Sequence, residues 1–277
     1  MKEEYVEVAL KTQETWLEPV VALLAEIGYT GFEERDSGLL AYVPATDFQP
    51  ELLHTQLASF MAQGLQFTHK ALAPQNWNAL WESQYDSVEV DHFCQLVPSF
   101  HQPKPGFAYT IRLDPKMSFG TGHHETTRLM IRQMQFMDFQ QKNVLDMGTG
   151  TGVLAILAYQ QGAAHVQAID IDPWSVENAR ENFLLNGISR ASVDLGDSSL
   201  IGPGPFDMVL ANINRNVLLQ DIPRYVEKLI PGGSLLLSGI LLEDRALIEE
   251  KASTVGLHLE KAIEEGNWAS LHLIKKE

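Results

Sequence analysis

Val144-Leu145-Asp146-Met147-Gly148-Thr149-Gly150-Thr151-Gly152-Val153-Leu154-Ala155-Ile156 is the stretch on which the reading of this chain turns. A short apolar run ends in an acid, glycines follow at alternate positions, and an apolar helical pattern begins. Physically this is a buried strand, a tight turn whose bare backbone lets a ligand come close, and a helix N-terminus. Which ligand is the first question. In the dinucleotide fingerprint G-x-G-x-x-G/A, the third small residue lets helix pack on strand. Counted from Gly148, that place is held by Val153, which is too large. The form here is D-x-G-x-G-x-G with Asp146 inside the strand, so a nicotinamide dinucleotide is disfavoured.

Downstream the alternation of strand and helix continues. Val166-Gln167-Ala168-Ile169-Asp170 ends in an acid about 20 residues beyond the glycines, where a carboxylate accepting ribose hydroxyls is expected. Asp172, followed by Pro173, reads as a helix cap. A helix over 174–186 ends at Gly187, residues 191–195 give a third strand, and 206–213 a fourth. Asn212 sits where that fourth strand's carboxyl end opens onto the ligand crevice. Gly232-Gly233 introduces a fifth strand over 234–239. The runs 257–263 and 268–274, joined by Glu264-Glu265-Gly266-Asn267, read as an antiparallel hairpin.

Upstream lies Met117-Ser118-Phe119-Gly120-Thr121-Gly122-His123-His124-Glu125-Thr126-Thr127-Arg128. Adjacent histidines do not share a helix face, and no further ligand follows at helical spacing, so no metal site is expected at His123, His124 and Glu125. Two readings stay open. In one, Thr126 or Thr127 caps the following helix; in the other, a flexible loop folds over a cofactor and Thr127 bonds it. Met130, Met134 and Met137, on one side of that helix, read as core. Before the loop, the runs 93–100 and 107–114 flank a Pro- and Gly-containing segment and read as a hairpin.

The N-terminal part carries no catalytic constellation. Residues 4–11 alternate apolar and polar, and Leu17, Val20, Leu24 and Ile27 then share a helix face with Gly28 as stop. Short β-like runs near 32–34 and 39–43 are separated by Asp36-Ser37-Gly38. A second helix is expected with Asp47 as cap and Pro50 in its first turn, and an alternating run to Leu72 follows Gly64. The order β-α-β-β-α-β is that of the ferredoxin-like unit. Domains are therefore expected at 1–72, a substrate-holding unit, and 93–277, the catalytic part. Residues 73–92 between them read as a linker with a short helix pinned by Trp77 and Trp81.

Composition narrows the class. The chain has 277 residues, 36 acidic against 20 basic, and a net charge of −16. That argues against a nucleic-acid backbone as partner, since such binding rests on clustered Lys and Arg. It is compatible with a basic protein steered in by attraction, although a surface charged simply for solubility is the favoured reading. No apolar run approaches the roughly 18–20 residues of a membrane span. A single cysteine, Cys94, and an N-terminus without an apolar signal core lead to a cytosolic expectation.

The loop 119–127, the glycine stretch with Asp146, Asp170-Ile171-Asp172-Pro173 and Ala211-Asn212-Ile213 together resemble one bacterial family. It is the methyltransferases of large-subunit ribosomal protein eleven, which modify protein lysines. The resemblance covers nearly the whole chain. It implies a seven-stranded doubly wound, Rossmann-like α/β fold of S-adenosylmethionine (AdoMet) methyltransferases, behind the ferredoxin-like domain. Carried to matching positions, it places cofactor contacts on Thr127, Gly148, Asp170 and Asn212, with Gly148 leaving the cofactor its space. The ribosomal protein is the implied partner, with no nucleic acid or membrane, and a monomer is expected. The family often has Asn-Ile-Leu-Ala where this chain has Asn212-Ile213-Asn214-Arg215, so the adjoining crevice wall is expected to differ. The Asn/Asp-Pro-Pro-Tyr/Phe signature of glutamine and nucleic-acid amino-methyltransferases is absent there. Action on another protein or on a small molecule is the alternative.

The implied reaction is in-line attack by an amine on the sulfonium methyl of AdoMet. Deprotonating a free lysine at pH 7 costs ~4.6 kcal/mol. Orienting two bound reactants contributes ~7–11 kcal/mol, which exceeds it. A dedicated base is not required, and no residue is nominated as one.

Overall fold

The period-two pattern at the N-terminus becomes strand β1 (Tyr5–Lys11), whose Val6, Val8 and Leu10 enter a core while the residues between them do not. The computed structural model describes residues 5–35, 38–72, 85–116 and 118–277. Contacts divide the chain into two units, Met1–Gln84 and Tyr85–Glu277. In the first, helix α1 (Leu17–Glu26) follows and buries Val20 and Leu24, and Gly28 stops it at φ 96°. Strands β2 (Gly31–Arg35) and β3 (Gly38–Pro44), helix α2 (Pro50–Met61) and strand β4 (Gln66–Leu72) complete the unit. Its sheet runs β2-β3-β1-β4, all antiparallel, the ferredoxin-like arrangement. The cap of α2 is Gln49 rather than Asp47, whose backbone N–H instead donates to Pro44 O in the preceding turn. The Asp36-Ser37 turn and the Trp77/Trp81 helix fall outside the described residues.

The second unit opens with β5 (Val88–Val90), inside the segment read as linker, followed by β6 (Cys94–Pro98) and β7 (Tyr109–Leu113). Here the expected hairpin is corrected. β6 pairs antiparallel with β5, across a turn in which Asp91 has φ 51°, and parallel with β7. The segment 99–108 is long enough to carry the chain back to the start of the next strand. The Gln95 side chain clips that return by bonding Lys104 N and O and Thr110 Oγ1.

Helix α3 (Glu125–Met134) leads into strand β8 (Asn143–Met147), helix α4 (Val153–Gln160) and strand β9 (His165–Asp170). Helix α5 (Pro173–Leu185), strand β10 (Ala191–Leu195), strand β11 (Phe206–Asn212) and helix α6 (Arg215–Lys228) continue the winding. Strand β12 (Leu229–Leu241), helix α7 (Arg245–Thr254) and the antiparallel pair β13 (Leu257–Glu265) and β14 (Trp268–Lys275) close it. The seven-stranded sheet runs β10-β9-β8-β11-β12-β14-β13, with β14 alone running against the other six strands. Successive residues feed opposite cores: Val144, Met208, Leu210 and Leu236 join α3, α4 and α5, while Leu145, Val209, Ala211 and Leu235 join α6 and α7. A parallel sheet buried on both faces needs such apolar strands. Met130 and Met134 are core, as their spacing predicts.

Helix α5 also ties the small sheet to the large one. Asn178, Asn182 and Asn186, four apart on one helical face, meet the backbone leaving β7. Asn186 accepts from Arg112 N and donates to Arg112 O; Asn182 accepts from Asp114 N at 2.8 Å, and Asn178 donates to Asp114 O at 3.1 Å. An amide side chain offers both a donor and an acceptor, so this row imitates a pairing strand.

Candidate cofactor site

The carboxyl ends of β8, β9 and β11 meet at one edge of the sheet, where an open doubly wound fold binds its ligand. Gly148 leaves β8 with φ 70°, and its N–H donates to Ile169 O at 2.9 Å, as does Thr149 N at 3.1 Å. Gly150 N donates to Asp170 Oδ2 at 2.8 Å, and Asp170 Oδ1 accepts from Asp172 N at 3.0 Å. Each carboxylate oxygen keeps a further lone pair. Across the crevice, Asn212 Nδ2 lies 3.5 Å from the hydroxyl of Thr127, which is fully buried in the first turn of α3. The fold thus brings Gly148 beside Asp170 and Thr127 beside Asn212, and β8 pairs directly with β11.

The space around Gly148 is bounded by the chain itself. A Cβ there would run into Ile213 Cγ2, so the first thing the glycine makes room for is the chain's own crevice wall. Asn214 explains the departure from Asn-Ile-Leu-Ala: its Oδ1 accepts from Val217 N and caps α6. Arg215 pairs with Asp244 at 2.5 Å. As for the loop, neither threonine caps α3; His124 does, its Nδ1 accepting from Thr126 N. Asp172 caps α5 as read, accepting from Trp174 N and Ser175 N. No metal-binding cluster of His, Cys, Asp and Glu occurs among the described residues.

Sequence reasoning passed over Thr151 and Asp197. Thr151, wholly buried, donates its N–H to Phe119 O and its hydroxyl to Gly120 O, both at 2.8 Å. Its carbonyl accepts from Asn182 at 2.9 Å. Nothing in a variable x position announces such a role. Asp197 follows β10 at the same sheet edge, where Gly196 N donates to Asp170 O at 2.8 Å. The Gly-Asp pair directly after a strand was its available signal. Beside the loop an open cleft of about 560 Å³ is bordered by Tyr85, Lys116, Phe119, His123 and His124.

Asp146 carries the strongest electrostatic signal at this edge. It is completely buried; Oδ2 accepts from the Thr149 hydroxyl at 2.6 Å, and Oδ1 has no hydrogen-bond partner. Burial pushes its pKa up to about 7 against the pull of that bond and of the Ala155 N–H in the first turn of α4, and the charge of Asp170 adds to the rise. A folded pKa above the unfolded value means the folded chain holds the proton longer. Stability contributed by protonated Asp146 is therefore full below about pH 4 and is lost as pH rises to about 7. Ligand-free Asp146→Asn should gain thermal stability relative to the parent at pH 8 but not at pH 4. Melting curves at the two pH values check this, and a constant offset would contradict it.

Comparison with known proteins adds to this geometry. The family description "Ribosomal protein L11 methyltransferase (PrmA)" matches residues 33–276. A ribosomal protein L11 methyltransferase of Phocaeicola vulgatus is 40% identical over 280 residues, 99% of this chain and 100% of the relative. One of Porphyromonas gingivalis is 41% identical over 94% of this chain and 91% of its own length. The crystal structure of a ribosomal protein L11 methylase from Lactobacillus delbrueckii subsp. bulgaricus superposes with a TM-score of 0.65. It is 31% identical and covers 70% of this chain and 100% of its own. Matched by the family model over residues 33–276 and by relatives over nearly its full length, the chain belongs to the ribosomal protein L11 methyltransferase (PrmA) family.

Proposed function

We propose that this methyltransferase transfers methyl groups from AdoMet to lysine amines of ribosomal protein L11, and that Thr127, Gly148, Asp170 and Asn212 hold the cofactor. The observation that supports the cofactor assignment most is a pair of orphaned acceptors. Asp146 Oδ1 and Asn212 Oδ1 are buried without hydrogen-bond partners, on the neighbouring strands β8 and β11. An unpaired buried acceptor costs about 1–3 kcal/mol, so each calls for a donor. AdoMet brings an ammonium group and ribose hydroxyls, which fit that demand. When bound, it supplies a methyl group on a sulfonium centre, which an amine can attack.

The chain's own residues then have definable tasks. Asp170 accepts ribose hydroxyls through the lone pairs left free by Gly150 N and Asp172 N. Thr127 and Asn212, 3.5 Å apart, together form the opposite wall and fix the ligand from that side. The loop 119–124, fastened to Thr151, shields the site from water and leaves a path for a long side chain through the adjoining cleft. Orientation supplies more than the ~4.6 kcal/mol needed to deprotonate a lysine, so none of these residues has to act as a strong base. The first unit, with its own core and no part in the glycine turn, presents the substrate. The net charge of −16 favours a basic protein over a nucleic acid, and a single chain contains every group this reading uses. Among the described residues no helix is long and apolar enough to cross a membrane.

Two measurements test this. Asp170→Ala should weaken AdoMet binding by roughly 1.5–3 kcal/mol, the size of a charge-assisted bond, and calorimetry reporting parental affinity in the folded variant would overturn the ribose assignment. A chain trimmed to Tyr85–Glu277, the second compact unit, should bind AdoMet as the parent does while losing methyl transfer to L11. Undiminished transfer would remove the presenting role from the first unit.

A further inference from the structure

The loop 119–124 is anchored at its start by Thr151, but its other end depends on a second element. Arg128, in the first turn of α3 and next to Thr127, points its guanidinium at two targets at once. Nη1 donates to Gly122 O at 3.2 Å and to His123 O, while Nε and Nη2 donate to Glu265 Oε1 at 2.9 and 2.6 Å. Glu265 ends β13, at the turn into β14. Its other oxygen accepts from Arg132, which also meets Asp91 at 3.5 Å. The Arg128 and Glu265 side chains are only 20% and 25% exposed, so this pair is not an ordinary surface bridge.

The loop has no slack on its far side. Gly122 has φ 90°, and a Cβ there would strike Leu96 and Val88 of β6 and β5. A second tie runs parallel to the ionic one: the His124 ring lies 4.8 Å from that of Trp268, the first residue of β14, and 5.3 Å from Phe119. The hairpin turn therefore grips the loop by charge at Glu265 and by ring contact at Trp268. Only a planar fork with several donors can reach two successive carbonyls and a carboxylate together, which an ammonium cannot do.

We propose that Arg128 is a positioning residue, and that its bridge from Glu265 to the carbonyls of Gly122 and His123 is the latch that holds the loop 119–124 in its cofactor-retaining position. The latch rests on the AdoMet reading above. It acts on Thr127 and His124 through the backbone and touches no reacting atom. Its loss loosens retention of the cofactor and leaves the transfer step itself little changed.

The test uses the full chain with Arg128→Met, Arg128→Lys, Glu265→Gln and the double variant Arg128→Met/Glu265→Gln. AdoMet affinity is read by calorimetry, and KM and kcat for L11 methylation separately. Arg128→Met and Glu265→Gln should each raise the AdoMet Kd and KM about tenfold while kcat stays within about threefold. Arg128→Lys should rescue only part of that, and the double variant should be no worse than Arg128→Met alone. If Arg128→Met does not fold, the near-isosteric Glu265→Gln decides alone. A parent chain that fails to bind AdoMet would sink the function reading. A parent that binds, with folded variants of equal affinity or with losses confined to kcat, would overturn the latch.

Discussion

Thr151 holds three pieces of this protein together with three hydrogen bonds. Its N–H and hydroxyl fix Phe119 O and Gly120 O, and its carbonyl receives Asn182 from α5. Asn182 also accepts from Asp114 N at 2.8 Å, so the backbone is pinned before the loop as well as within it. Glycine turn, loop and helix become one body around a single buried side chain. The other features of the site are built around that body: the wall formed by Thr127 and Asn212, the cap at His124, and the cleft beside Phe119.

The same constraint accounts for the glycines. A Cβ on Gly150 would meet Phe119 O, one on Gly120 would lie 2.7 Å from Thr151 Oγ1, and one on Gly152 would lie 2.8 Å from Phe183 Cε1. With Gly148 facing Ile213, each has a protein neighbour where a side chain would go. The turn is small because the chain packs against itself there, and a ligand enters the room that remains. Of the buried polar atoms left without a partner, Asp146 Oδ1 and Asn212 Oδ1 are the two at the carboxyl ends of β8 and β11. Local costs that the surrounding structure tolerates belong at functional sites.

Much of the fold was legible because its signals are local. Asp146 ahead of alternating glycines, the acid closing Val166–Asp170 and the turn at Glu264–Asn267 each announce an element boundary by residue type, and the strands alternate between two cores as their apolar patterns require. What stayed hidden depends on partners far apart in sequence. The apolar pattern of residues 93–114 does not distinguish a hairpin from the parallel pairing of β6 with β7, since the antiparallel partner of β6 is β5, outside that stretch, and the return is clipped by a side chain, Gln95, rather than by a pattern. Thr151 and the Arg128–Glu265 pair were invisible for the same reason: the latter spans 137 positions. Of the two readings left open for the loop, the threonine cap does not occur, because a histidine ring nitrogen takes the place that threonine hydroxyls usually fill.

The account rests most heavily on the Thr151 hydroxyl, and Thr151→Val removes it at nearly constant shape, leaving the N–H and carbonyl bonds in place. Calorimetric titration of that variant with AdoMet, set beside its melting temperature, is the most direct measurement. A weakening of roughly 1–2 kcal/mol in a chain that still melts cooperatively is the predicted result, since one buried carbonyl loses its donor. Parental affinity in the folded variant would contradict the claim that Thr151 builds the site.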